Sequence, residues 1–100
     1  MHELERSLQT QIEADVAQAY AKVQAEFHLV ALHHKLVPIA RQILASSSAS
    51  YSSGRGDFLG MLDSERTLRR HALELAMHLA TYEQSVASLE RAVGGSVGLV

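Results

Sequence analysis

The stretch FLGMLDSERTLRRHALELAMHLATYEQSVASLERAV, residues 58–93, holds one glycine near its start and no proline. Within it Leu68, Ala72, Leu75, Leu79, Tyr82, Val86, Leu89 and Val93 recur at alternating steps of four and three. A helix turns once in about 3.6 residues, so these steps draw an apolar seam along one side of a helix, fit to pack along another for its whole length. Extended backward, the seam reaches Phe58 and Met61 and is interrupted by Glu65. Asp57 is a good N-cap, placing an acidic group at the positive end of the helix. Gly94 and Gly95 are natural C-terminal stops. The spacing thus predicts a helix over about 57–93.

Upstream, Pro38 is the only breaker before Gly54. Leu4, Leu8, Ile12, Val16, Ala19, Val23, Phe27 and Val30 repeat the same spacing, and the apolar set continues through Leu36, Val37, Ile39, Ala40, Ile43 and Leu44. Because it resumes after Pro38, the proline is expected to kink this helix rather than end it. Residues 46–53 are rich in serine, which competes with the backbone for hydrogen bonds. On composition alone the helix would stop near Ala45. Gly54, Gly56 and Gly60 then supply a turn. The fold class is all-α: an antiparallel two-helix hairpin of long, coiled-coil-like helices. It forms one domain, 1–95, with 96–100 as a flexible tail.

The chain has 100 residues and a mass of 10.9 kDa, and its nine Lys plus Arg stand against eleven Asp plus Glu, a net charge of −2. That balance excludes the basic footprint of a nucleic-acid binder. An apolar share of 47% excludes a disordered chain. The absence of cysteine removes disulfides and thiolate metal sites. The longest apolar run, Leu36 to Ala40, has five residues, against about 20 for a membrane helix. The start, Met1 to Arg6, lacks the basic-then-apolar order of a signal peptide, which fits a cytosolic chain or a piece of an exported one.

Beside the main stripes lie Ala14, Ala17, Ala21, Ala25, Ala76, Ala80 and Ala87, small enough to let further helices approach. One hairpin of two helices encloses no core of its own. Its remaining apolar surface calls for self-association, as a dimer or higher, or for a place in a larger assembly.

A more specific signal runs from Tyr51 to Leu68. Tyr51-Ser52-Ser53-Gly54, followed by Leu59 to Leu68 with Asp63 and Arg66, resembles the Y-x-x-G, then L-x-x-L-D-x-x-R-x-L signature of TolC-family outer-membrane efflux proteins. Ala17-Gln18-Ala19-Tyr20 is similar to that family's A-x-A-Y, and Leu36-Val37-Pro38-Ile39-Ala40 to its L-x-P-x-A. Tyr82 and Leu89-Glu90-Arg91-Ala92-Val93-Gly94 are similar to its Y…LER-x-x-G ending. The pieces fall in family order over about residues 10–95, and the heavy-metal efflux branch looks most similar.

The resemblance implies the periplasmic helical hairpin of the second repeat, without barrel strands. In that family such hairpins are staves of a trimeric duct that docks a periplasmic adaptor protein and serves an inner-membrane pump. It implies that Tyr51, Gly54, Arg55, Gly56 and Asp57 shape the tip, that Asp63 and Arg66 take part in docking, and that Phe58, Leu62 and Leu68 anchor the second helix there. It also implies that the first helix runs on through the serines to about Tyr51, so the two helices are taken as about 3–52 and 57–93. At the position where some members carry a basic tip residue, two after the Gly of Y-x-x-G, this chain has Gly56, and Arg55 comes one residue early. The substrates would be exported molecules, metal cations by analogy with the branch, and the chain itself would be a soluble periplasmic portion of an outer-membrane protein.

Six histidines raise a metal reading. A hairpin folded about residue 54 sets His33 and His34 between His71 and His78, where two or three imidazoles could meet and bind zinc or copper. No H-x-x-x-H pair occurs and no carboxylate is obliged to join, so packing or solvent-facing histidines are the primary expectation and no cofactor is assigned. Arg55-Gly56-Asp57 spells an adhesion tripeptide but is accounted for as turn plus N-cap. The run Asp63, Glu65, Arg66, Arg69, Arg70 reads as a solvated face with Asp63–Arg66 and Glu65–Arg69 pairs, or as a docking surface. No nucleophile elbow, phosphate loop or paired carboxylates point to an enzyme. The rivals to the duct stave are a cytosolic hairpin scaffold dimerising as a four-helix bundle and a His-rich metal-binding helical protein.

Overall fold

The computed structural model describes residues 2–98. It contains two helices and, among the described residues, no strand: α1, His2–Ser52, and α2, Phe58–Gly98. Helix α1 continues through Pro38 and through the serine run to Ser52, beyond the stop near Ala45 that composition favours. No described helix is long and apolar enough to cross a membrane.

The end of α1 is a Schellman motif. Arg55 N–H donates to the Ser50 carbonyl at 2.8 Å and Gly54 N–H to the Tyr51 carbonyl at 3.1 Å, while Gly54 adopts φ +77°. These bonds satisfy carbonyls that a helix end leaves open, and the left-handed residue they need is the glycine. The serines do not end the helix; the motif built on Gly54, directly after them, does. Gly56 donates to the same Ser50 carbonyl at 2.9 Å, and a Cβ there would stand 3.0 Å from the Ser50 Cβ and 3.3 Å from backbone atoms of Ser50 and Tyr51. Asp57 caps α2 as expected: its Oδ1 accepts the Gly60 N–H at 2.8 Å.

Gly94 and Gly95 do not stop α2, which runs on to Gly98. Among the described residues only Gly54 has a positive φ, so neither glycine takes the left-handed turn that would cap the helix. The expected tail, 96–100, therefore begins inside α2, and residues 99 and 100 lie outside the described ones.

The chain divides into two compact units. The first, Leu29–His78, holds the turn. Its inward positions on α1 are Val30, His33, Val37, Ala40, Leu44 and Ser47, and on α2 Met61, Ser64, Leu68, His71, Leu75 and His78. Val37 and Ala40 are its buried apolar residues, 8% and 4% exposed. Near the turn the Tyr51 and Phe58 rings pack at a tilt of 58°, centroids 5.9 Å apart. The Ser47 and Ser64 hydroxyls meet at 2.8 Å, and since Ser64 Oγ donates to the Gly60 carbonyl at 3.1 Å, Ser47 is the donor between them.

The second unit pairs the start of α1, up to His28, with α2 from Leu79 onward. Ile12, Val16, Ala19, Val23 and Glu26 are half-buried, as are Tyr82, Val86, Leu89 and Ala92. Ser85 is the most enclosed, 2% exposed, and its Oγ donates to the Tyr82 carbonyl at 2.7 Å. Phe27 and Tyr82 pack at 6.1 Å between centroids.

In both units half of the expected seam is displaced by one position. Leu68, Leu75, Tyr82 and Leu89 face inward as the spacing indicates. The row beside them is not Ala72, Leu79, Val86 and Val93 but Ser64, His71, His78, Ser85 and Ala92; of the former only Val86 is half-buried. On α1 Glu26 likewise takes the inward place expected of Phe27, and Leu4 and Leu8 are exposed. Small side chains allow the helices to close up, and Ser64 and Ser85 find hydrogen bonds there. Apolar residues are turned outward in exchange.

Candidate functional site

Of the residues expected at the tip, Tyr51, Gly54, Arg55, Gly56 and Asp57 all sit at or beside the turn and are exposed. Their local roles are structural: Gly54 and Gly56 close the turn, Asp57 caps α2, and Arg55 Nε donates to Ser53 Oγ at 3.3 Å. Asp63 and Arg66 are exposed and form no ion pair with each other among the described residues. The other expected pair is present, Arg69 Nη2 to Glu65 Oε1 at 2.7 Å. At such exposure it contributes about 0.3–0.5 kcal/mol.

The tightest polar cluster lies deeper in the same unit. His33 is inward between Val30 and Val37; on α2, His71, Glu74 and His78 follow at three and four residues and share one face. His33 Nδ1 lies 2.9 Å from the Leu29 carbonyl one turn earlier in α1. A carbonyl can only accept, so Nδ1 carries the proton. His33 Nε2 is thereby turned to Glu74 Oε2, 2.8 Å away on α2. The Leu29 carbonyl, and then the Glu74 carboxylate, raise the His33 pKa above its usual 6.5, against the opposing effect of burial.

His71 Nδ1 lies 3.8 Å from the same Glu74 oxygen, is shut off from solvent and makes no hydrogen bond. An enclosed ring nitrogen without a partner costs about 1–3 kcal/mol. The His78 ring packs on that of His33, centroids 4.7 Å apart and planes inclined by 38°. His33, His71 and Glu74 each offer one donor atom, and the three lie within 4.8 Å of one another. Two imidazoles and a carboxylate are a donor set suited to a transition-metal cation.

Three of the four histidines considered from the sequence are thus brought together. His34, next to His33 in the chain, is exposed and stands apart. Glu74 is a residue that periodicity and motif do not single out. The signal that could have found it is the spacing His71-x-x-Glu74-x-x-x-His78, which sets a carboxylate between the two imidazoles on one helix face.

The fold defines an all-α helical hairpin. No family model, no curated protein and no solved structure matches this chain.

Proposed function

We propose that this chain is a structural assembly element: the periplasmic hairpin of a TolC-like outer-membrane efflux duct, a stave that contributes wall and tip and makes or breaks no bond. The observation that carries the reading is the exchange of faces along the helices. The hairpin packs serine, histidine and alanine inward and leaves Phe27, Leu32, Ile39, Ile43, Leu73 and Met77 exposed. Solvated apolar surface on this scale is costly in a free hairpin and useful in a barrel of hairpins, where each stave covers its neighbours. Val37 and Ala40, the two buried apolar residues among the described ones, are a small core for helices of 51 and 41 residues. Ordering a backbone costs about 1–2 kcal/mol per residue, so further burial between chains is the natural remedy.

The turn supports the same reading. Gly54, Gly56 and Asp57 close it with hydrogen bonds, which leaves Tyr51, Arg55 and Phe58 exposed at a tip where an adaptor protein would dock. Duct, adaptor, inner-membrane pump and periplasmic location come from the motif resemblance.

Sedimentation of the chain alone and with the helical hairpin of a periplasmic adaptor tests the proposal. Oligomers of three or more that recruit the adaptor, and lose it when Arg55 is changed to Glu, are expected. A dimer indifferent to the adaptor would replace the duct with a four-helix scaffold, and a stable monomer would remove both.

A further inference from the structure

The cluster of His33, His71 and Glu74 has no part in the duct reading, yet its geometry is more built than packing alone requires. The backbone orients the His33 ring, with Nδ1–H on the Leu29 carbonyl at 2.9 Å, and turns Nε2 to the facing helix, where it meets Glu74 Oε2. That is the arrangement by which proteins orient a ligating imidazole. The two approaches to Glu74 Oε2 are 2.8 Å from His33 Nε2 and 3.8 Å from His71 Nδ1. Neighbouring donors around a tetrahedral zinc, with bonds of about 2.0–2.1 Å, are about 3.4 Å apart. These two spacings bracket that value and all three donors lie within 4.8 Å of one another, so side-chain movements would seat an ion.

We propose that His33, His71 and Glu74 form a binding site for a borderline divalent cation, zinc being the best fit. Two neutral imidazoles and one carboxylate are the donors zinc takes at three-residue sites, with the fourth position left to water. Calcium and magnesium want oxygen donors throughout, which this cluster does not offer. The ion also answers the one polar group here that the fold leaves unserved. His71 Nδ1, enclosed and without a hydrogen bond, would become a ligand. His78 packs on the ring of the His33 ligand, centroids 4.7 Å apart. Since His33 belongs to α1 and the other two to α2, the ion would clamp the two helices of the Leu29–His78 unit in one register. The proposal is independent of the duct: it needs neither an oligomer nor an adaptor.

The test is titration of the untagged, chelator-treated chain with zinc chloride by calorimetry. It is joined by thermal melts and by cobalt(II) absorption, whose intense visible bands mark a four-coordinate ion. One ion per chain is expected, with a rise in Tm that a chelator reverses. His71→Leu and Glu74→Gln should each weaken zinc by about tenfold or more while the helical circular dichroism is kept. His34→Ala, at an exposed position outside the cluster, should leave the affinity unchanged. His33→Ala also removes a packed ring, so the two α2 variants are the decisive ones. Zinc that brings neither heat nor a Tm shift would overturn the proposal. So would binding that survives in both α2 variants.

Discussion

Glu74 meets His33 from the opposite helix, Oε2 to Nε2 at 2.8 Å, while the other ring nitrogen of His33 is already committed to Leu29 of its own helix. The neutral ring would turn a lone pair toward a carboxylate, so proton uptake by His33 tightens the pair. With its folded pKa raised above the usual 6.5, His33 adds stability that is fully present below about 6.5 and is lost as pH rises through the raised value. The groups facing it are Glu74, His71 and His78, all on α2.

For the metal-free chain, the urea midpoint is therefore expected to hold below about pH 6.5 and to fall as pH rises above it. In Glu74→Gln the fall should be shallower, because the carboxylate that favours the charged ring is gone. Equal slopes in the two chains, measured with chelator present, would show that the pair contributes nothing to the pH dependence.

His71→Leu is expected to raise the stability of the metal-free chain. It removes an enclosed nitrogen that has no hydrogen bond and replaces it with apolar volume at an inward position. The gain should be on the order of 1 kcal/mol by urea unfolding. A loss of similar size would mean that the imidazole is satisfied in solution.

Gly54→Ala forces a Cβ into the left-handed region at φ +77° and should cost about 1–2 kcal/mol. Gly56→Ala acts by crowding instead, against Ser50 and Tyr51 backbone atoms at 3.3 Å. Both should lower the urea midpoint without reducing the helix signal of the folded chain. A neutral Gly54→Ala would argue that the Schellman turn is not kept.

Asp57→Ala removes the cap on Gly60 N–H and should cost about 1 kcal/mol, whereas Asp57→Asn keeps an accepting oxygen and should retain most of that. If Asn proves as harmful as Ala, the carboxylate charge and not the hydrogen bond is what matters there.

Ile39→Ser with Ile43→Ser places two hydroxyls one turn apart on an exposed stretch of α1. Folded-state helicity should barely change, with each substitution within about 0.5 kcal/mol in the isolated chain. Self-association, read by sedimentation, should weaken markedly. Oligomers that persist unchanged would place the interface on another face.

The hairpin itself is legible in the sequence because breakers are concentrated at Gly54, Gly56 and Gly60 and apolar residues recur at helical steps on both sides. Asp57 is equally plain, since capping depends on three neighbouring residues alone. What periodicity does not tell is which of two adjacent rows faces inward. Apolarity favours Leu79 and Val93, yet Ser85 is buried and Ala92 half-buried, because small side chains let the helices approach and the Ser85 hydroxyl finds the Tyr82 carbonyl. The same bias hides Glu74: a carboxylate on a helix reads as solvated until the facing helix of the hairpin delivers His33 to it. Gly94 and Gly95 mislead for a different reason, since a glycine permits a helix end without compelling one.

The pairings of the Leu29–His78 unit are ordered like the teeth of a zip fastener. Tyr51 touches Phe58 just across the turn, Ser47 reaches Ser64 at a separation of 17 residues, and His33 reaches Glu74 at 41. Once the Gly54 turn is set, each contact brings the next within a short search, so no step has to close a long loop from scratch. Assembly of this unit should start at the glycines and travel outward, with the imidazole cluster among the last to lock.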